Sequence, residues 1–346
     1  MNISIDEFLQ LRDKLPVVDV RSEGEFEAGH IAGAVNIPLL NNQERVIVGT
    51  TYKQQGQLEA IKTGFQLVGP RLLEIIEASL QTALHRHELL VHCWRGGMRS
   101  ANYCRFVEMV GIKTHTLTGG YKAYRNKALE SFALPLQLIV VGGCTGSGKS
   151  ELLQALAEAG EQVLDLEKLA HHKGSVFGGL MMPPQPTTEQ FQNNLFEEIL
   201  KIDLSRPVWI EDESVAIGKI FLPEPLWRNM NTSPLIEIDV VRENRVQRLV
   251  KEYGHADKQQ FLEAMKGIVK KLGGQHFNVA QEMLLAGDMP STIDILLNYY
   301  DKAYRNGLQR KQHRVTKQIQ WDGQQTQSVI GELLATKEQI AFHKQL

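Results

Sequence analysis

The stretch "LPLQLIVVGGCTGSGKSELLQALAEAG", Leu134 to Gly160, reads as strand, glycine turn and helix in that order. "LQLIVV" is an apolar run interrupted only by Gln137, the pattern of a strand buried on both faces of a parallel sheet. "SELLQALAEAG" has helical spacing and ends on Gly160, a helix stop. Between them, Gly143–Ser150 matches G-x-x-x-x-G-K-[ST] in full. Gly143, Gly146 and Gly148, with Ser147 among them, let the backbone turn so that several N–H groups converge on phosphate oxygens. The helix N-terminus adds its dipole. Lys149 is expected to meet a terminal phosphate and Ser150 to bind Mg2+. Cys144 sits at a variable position of the motif and reads as packing. Such a loop takes a diphosphate or triphosphate tail and does not say what is attached to it.

Around this element the second half of the chain continues as an α/β unit. "QVLDLE" (Gln162–Glu167), "PVWIEDES" (Pro207–Ser214) and "LIEIDV" (Leu235–Val240) read as three further strands. Asp165, Glu211, Asp212 and Glu213 are candidates to assist Mg2+ or move a proton, and the sequence does not choose among them. From Arg242 the pattern turns mainly helical, and the tail after Asp322 reads as a helix. Arg242 to Lys317 holds fourteen Lys/Arg against eight Asp/Glu. Arg242, Arg245 and Arg248 recur every three residues on one helix face. A second basic stretch, Asp301–Arg314, interleaves Tyr304 with Arg305, Arg310, Lys311 and Arg314. Both are expected to meet nucleic-acid phosphates.

The first half alternates strand and helix signals, which implies a parallel sheet with helices on both faces. "PVVDV" (Pro16–Val20), "AVNIP" (Ala34–Pro38), "ELLVHC" (Glu88–Cys93) and "KTHTL" (Lys113–Leu117) read as strands. "RLLEIIEASLQTAL" (Arg71–Leu84) and "MRSANYCRFVEMVG" (Met98–Gly111) read as helices. A break near Ser131–Pro135 divides the chain into domains 1–132 and 133–346. Within the first, "HCWRGGMRS" (His92–Ser100) sets Cys93 between a strand and a helix, where the helix dipole and Arg95 and Arg99 would lower a thiol pKa. Gly96 and Gly97 let N–H groups point at whatever the thiol carries. A sulfur or selenium atom suits this loop. So does a phosphate, because Cys93 and Arg99 fit the C-x5-R spacing of cysteine phosphatases. Cys104 reads as core, and His92 as packing.

Composition sets the outer limits. A chain of 346 residues exceeds a typical single core. A net charge of −2 advertises no global field for nucleic acid, though a local patch would suffice. "MNISIDEFLQLRDKLP" lacks the basic start and apolar core of a signal peptide. No apolar run approaches the roughly 20 residues that span a bilayer. Three cysteines argue against a disulfide framework and for a reducing, cytoplasmic setting.

Two resemblances follow from these motifs. "VVDVRSEGEFEAGHIAGAVNIP" (Val17–Pro38), with the Cys93 loop, resembles the rhodanese family, which moves sulfane sulfur through a cysteine persulfide. Asp19, Arg21, Glu25, Phe26, His30 and Asn36 are among the matching positions. The loop is one residue longer than the commonest form, as in rhodanese-like phosphatases, and a longer loop admits a larger anion. The order rhodanese then phosphate loop is uncommon. Together with "QERVIVGTTYKQQGQLEAIKTGFQLVGP" (Gln43–Pro70), "DLEKLAHHKGSVFG" (Asp165–Gly178) and "LGGQHFNVAQEMLLAGD" (Leu272–Asp288), it resembles the tRNA 2-selenouridine synthase family over nearly the whole chain.

That resemblance implies a transferase acting on the wobble 2-thiouridine of tRNA. A geranyl group is placed on sulfur from geranyl diphosphate, and selenium from selenophosphate then replaces the geranylthio group. It implies that the Gly143–Ser150 loop holds the diphosphate. It also implies that the Cys93 loop holds selenium, either as selenophosphate or bound to Cys93. Selenophosphate synthetase is a candidate partner, Mg2+ a candidate cofactor at the phosphate loop, and no membrane is expected. The residues alone also admit a rhodanese-fused nucleotide kinase, an ATP-dependent sulfurtransferase, a cysteine phosphatase with a regulatory domain, or an RNA-binding sulfur sensor.

Overall fold

The computed structural model describes residues 1–340 and Phe342; the last positions of the expected 133–346 domain lie outside the described residues. The chain forms two compact units, Met1–Ser131 with Gln192–Asn194, and the remainder from Phe132 onward. No helix among the described residues is long and apolar enough to cross a membrane.

The first unit runs β1 (Asn2–Ile3), α1 (Ile5–Leu11), β2 (Val17–Asp19), α2 (Glu23–Ala28), β3 (Val35–Asn36), α3 (Asn42–Gln55), α4 (Gln57–Val68), α5 (Leu72–Ala83), β4 (Glu88–His92), α6 (Met98–Glu108), β5 (Lys113–Leu117) and α7 (Gly120–Ser131). Its sheet has the order β1-β5-β4-β2-β3, parallel throughout. The central strand, β4, is buried from Leu89 to His92, as a strand covered on both faces must be. Val18, Val20, Leu89, Val91, Tyr103 and Val107 form the core around it. The segment 43–70 folds into the helix pair α3 and α4. Asn41 and Glu44 close a reciprocal capping box at the start of α3. Gly56, at φ 89°, makes the joint to α4.

The second unit runs β6 (Leu138–Gly143), α8 (Lys149–Glu158), β7 (Gln162–Leu164), α9 (Leu166–Ala170), α10 (Thr188–Ile199), β8 (Val208–Glu211), a hairpin of β9 (Ala216–Ile217) and β10 (Ile220–Phe221), α11 (Glu224–Thr232), β11 (Leu235–Val240), α12 (Arg242–Tyr253), α13 (Lys258–Lys266), α14 (Val269–Leu272), α15 (Gly274–Ala286), α16 (Met289–Lys311), β12 (Val315–Trp321) and α17 (Thr326–Lys337). Its main sheet has the order β12-β11-β6-β8-β7, again all parallel, with β6 at the centre. β12 has no counterpart in the sequence reading. "VTKQIQW" buries only Ile319 and Trp321, so its apolar signal is that of an edge strand, too sparse to stand out inside a basic helical region. The helices from α12 to α16 enclose a separate core in which Phe177 stacks on Phe261 at 4.6 Å, with Tyr253, Leu284 and Leu297 around them.

Candidate active sites

In each unit a glycine-bearing loop follows the central strand of the sheet. In open parallel sheets this is where ligands gather, beyond the carboxyl ends of the strands.

In the first unit β4 delivers Cys93, and the loop returns into α6. Gly96 lies at φ 66°, and a Cβ there would come within 2.8 Å of the Leu117 carbonyl oxygen. Gly120, at φ 60°, packs so closely that a Cβ would sit 2.3 Å from the Cys93 carbonyl oxygen. The loop is therefore pinned against the β5–α7 turn, and the Tyr121 N–H donates to that same carbonyl at 2.8 Å. The Cys93 thiol is 3% exposed. Gly97 N–H donates to its sulfur at 3.3 Å, and Ser100 Oγ lies 3.3 Å from it. Burial pushes this thiol up, but hydrogen bonds from the Ser100 hydroxyl and from the Ser100, Arg95 and Gly97 backbones outweigh it and leave the pKa below the ordinary value.

This corrects the expected cause. Arg99 gives two N–H groups to Glu25, at 2.6 and 3.2 Å, and its attraction to the thiolate ranks behind that pair. The Arg95 side chain is exposed, and its backbone is the part that acts on sulfur. Glu25, seen in the sequence only as a matching position, is thus the group that positions Arg99. Arg21 is buried, bound to Asp19 and the Gly29 carbonyl beneath the Tyr121 ring at 3.7 Å, and so acts as scaffold. His92 is fully buried between Phe8 and Tyr121, and burial keeps it neutral. Cys104 packs in the core, its thiol pushed up by burial.

In the second unit the phosphate loop joins β6 to α8. Gly146 and Gly148 take φ of 83° and 81°, and a Cβ at Gly148 would meet the Arg248 guanidinium at 2.4 Å. Lys149 Nζ folds back to donate to the Gly143 carbonyl at 3.3 Å. Ser147 is buried within the loop. Ser150 Oγ donates to Glu167 Oε2 at 2.9 Å. The loop lines a cavity of about 720 Å3 that also takes in Glu167, Lys173, Glu213, Tyr253, Tyr300 and Tyr304. Behind it lies a small apolar chamber of about 20 Å3 walled by Phe177, Phe261, Leu296 and Leu297. Thr145, Ser175, Leu249, Tyr253 and Tyr300 line both spaces.

The acidic candidates separate by their surroundings. Asp165 caps α9 through the Lys168 N–H at 2.8 Å, and burial raises its pKa. Glu211 is buried, its pKa raised well above the carboxylate range by burial, and it accepts the Glu167 N–H at 2.6 Å. Asp212 is neutralised by Lys311 at 2.7 Å and Arg314 at 3.1 Å. Glu213 faces the cavity, and burial followed by the Glu167 charge raises it to about 8. Glu167, not singled out in the sequence, completes the pair beside Ser150. Its signal was present: an Asp three residues before Lys168 reads as a helix cap, which leaves Glu167 free in the first turn. Ser150 Oγ and Glu167 Oε2 are hard oxygen donors at bonding separation, a set that fits Mg2+. Cys144 is pushed up to about 11 by burial and carries no chemistry here.

The basic residues need a correction. Arg245 is buried, with its guanidinium spent on both oxygens of Asp301, at 2.7 and 2.9 Å. Arg242 binds Asp294, Asn298 and Asp301. Arg248 binds Glu151 and the Gly323 carbonyl over the Trp321 ring. That helix face holds α12 against its own unit instead of presenting three cations to solvent. Arg305 and Arg310 are exposed.

Comparison with known proteins agrees with this two-loop layout. The tRNA 2-selenouridine synthase AAA domain matches residues 136–335, and the rhodanese-like domain matches residues 4–127. A tRNA 2-selenouridine synthase of Nitrosomonas europaea is 33% identical over 86% of this chain and 90% of its own length. One from a Sulfurovum strain is 35% identical over 87% and 90%, and one from Bdellovibrio bacteriovorus is 40% identical over 73% and 68%. The chain belongs to the tRNA 2-selenouridine synthase family.

Proposed function

We propose that this protein converts wobble 2-thiouridine of tRNA to 2-selenouridine in two steps, one at each loop. In the first, the 2-thiouridine sulfur attacks C1 of geranyl diphosphate. The S–C bond forms, the C–O bond breaks, diphosphate leaves with the bonding pair, and the N3 proton is lost. An allylic carbon stabilises the developing cation. The phosphate loop and Lys149 stabilise the departing anion, where a preorganised site contributes most. Glu213, raised to about 8, is mostly protonated at neutral pH, and its remaining carboxylate fraction is the base placed to take the proton. Mg2+ bound by Ser150 and Glu167 would supply further charge neutralisation at the diphosphate.

In the second step, selenophosphate held at the Cys93 loop delivers selenium to C2. The Se–C bond forms, the C2–S bond breaks, and geranylthiol leaves with a proton. Water takes the phosphoryl group as phosphate, and N3 regains its proton. A thione sulfur leaves poorly; an alkylated one leaves as a thiol, which is why alkylation comes first. Cys93, kept low in pKa by Ser100 and the loop N–H groups, is the nucleophile that takes the phosphoryl group from selenium, its S–P bond forming as the Se–P bond breaks, before water releases it as phosphate.

One observation carries this reading over a nucleotide kinase. The phosphate loop opens on a cavity of about 720 Å3 whose walls include Tyr253, Tyr300 and Tyr304, rings on which an apolar tail can pack beyond the diphosphate. The test is a nucleoside digest, resolved by mass, of 2-thiouridine RNA incubated with the protein. Geranyl diphosphate alone should give S-geranyl-2-thiouridine, and added selenophosphate should give 2-selenouridine. Selenouridine formed with ATP and no geranyl diphosphate would overturn it.

A further inference from the structure

The first unit holds a second cavity that neither step above uses. It measures about 140 Å3 and lies among α3, α4 and α6. Leu40, Ile61, Phe65, Val68 and Phe106 line it, with Gln57, Asn102 and Arg99 among its polar lining residues. Tyr52, Phe65 and Met98 are 57%, 56% and 46% exposed, an apolar rim left open to water.

Two observations mark this as a built site. The first is its position. Met98 and Arg99, the opening residues of α6, belong to its lining. The next residue is Ser100, whose hydroxyl touches the Cys93 sulfur, and the residue before is Gly97, whose N–H donates to it. The cavity and the thiol thus share one helical turn.

The second is Gly64. It sits inside α4, where glycine is the poorest helix former after proline. Its φ is not positive, and a Cβ added there would meet nothing within 4 Å. Neither backbone strain nor close packing calls for glycine. Ala60, Gly64 and Val68 fall at four-residue steps and all line the cavity, so the small residues keep that face of the helix from filling it.

Resting on the two-step reading above, we infer that this pocket receives the geranyl chain of the S-geranyl RNA while selenium displaces it at the Cys93 loop. An anion such as selenophosphate would lose its hydration against Leu40, Phe65 and Phe106, and the lining guanidinium of Arg99 is already paired with Glu25. A branched apolar chain attached to the very sulfur that leaves beside Cys93 gains by the same burial. The helix pair α3–α4 then has a task in a unit that performs no alkyl transfer: it holds the leaving group.

The experiment uses the full chain, selenophosphate, and anticodon stem-loop RNA already carrying either S-geranyl- or S-dimethylallyl-2-thiouridine. The readout is kcat/KM for selenouridine formation. Wild-type protein should prefer the geranyl substrate by about tenfold or more, since five more carbons are buried. In Gly64→Leu, which fills the pocket, that preference should collapse toward one, chiefly through KM. Its melting temperature should equal or exceed wild type, because leucine is the better helix former. Phe65→Ala should reduce the preference from the opposite direction, by removing a wall. A wild-type preference retained in both variants, or no preference in wild type, overturns the pocket. Wild-type protein that converts unalkylated 2-thiouridine with selenophosphate alone, and leaves the S-geranyl RNA untouched, overturns the two-step reading itself and the pocket with it.

Discussion

The Cys93 loop and the phosphate loop are the same device used for opposite ends. Each follows the central strand of a five-stranded parallel sheet, turns on glycines with positive φ, and enters a helix N-terminus. Both concentrate N–H groups where negative charge is to sit. In the first unit the charge is built in: a sulfur 3% exposed, touched by Gly97 N–H and Ser100. In the second it must arrive with a ligand, so the loop faces a cavity of about 720 Å3 and carries Lys149. The difference teaches that a nest of N–H groups fixes only the sign of its guest. How much room is left decides how large a guest the loop can admit beside its own residues.

Removing the built-in charge should have the largest effect. Cys93→Ala should abolish selenouridine while S-geranyl-2-thiouridine accumulates, as read by mass in the nucleoside digest. Loss of both products in a folded variant would mean that the two loops are not separable. Lys149→Ala should weaken geranyl transfer at limiting geranyl diphosphate by roughly 1.5–3 kcal/mol, the range for a charge-assisted hydrogen bond, with selenium transfer to preformed S-geranyl RNA retained.

Ser100→Ala probes the thiol alone. That hydrogen bond favours the thiolate, so its loss should move the thiol pKa up. The thiolate forms as pH rises through the pKa, so the pH profile of Cys93 alkylation should shift to higher pH in the variant. An unchanged profile would leave the backbone N–H groups as the whole cause.

The smallest expected effect concerns RNA. Arg305→Ala and Arg310→Ala should each lower the salt dependence of tRNA binding by about 0.7–0.9 in the slope of log K against log salt. Arg245→Ala should act otherwise. It leaves buried Asp301 with only its longer contact to Arg242, at 3.3 Å, so it should cost stability in a denaturation curve, with about 3–5 kcal/mol as the upper bound.

Local chemistry made the two loops legible from sequence. Gly143–Ser150 and His92–Ser100 are contiguous, and each carries its own strand, turn and helix signals, so residue order alone brought their groups together. The helix pair of segment 43–70 was legible as an addition, though not as the wall of a cavity. Tertiary structure decided the long-range matters. Glu167 meets Ser150 across seventeen positions. Arg245 faces Asp301, fifty-six residues away, and not the solvent. A three-residue spacing says that cations share a helix face; it cannot say what that face packs against. Nor could acidic residues in a row reveal that Asp212 is neutralised by Lys311 while its neighbour Glu213 is left facing the cavity. Charge and burial are properties of the assembled neighbourhood, and the neighbourhood exists only once the chain has folded.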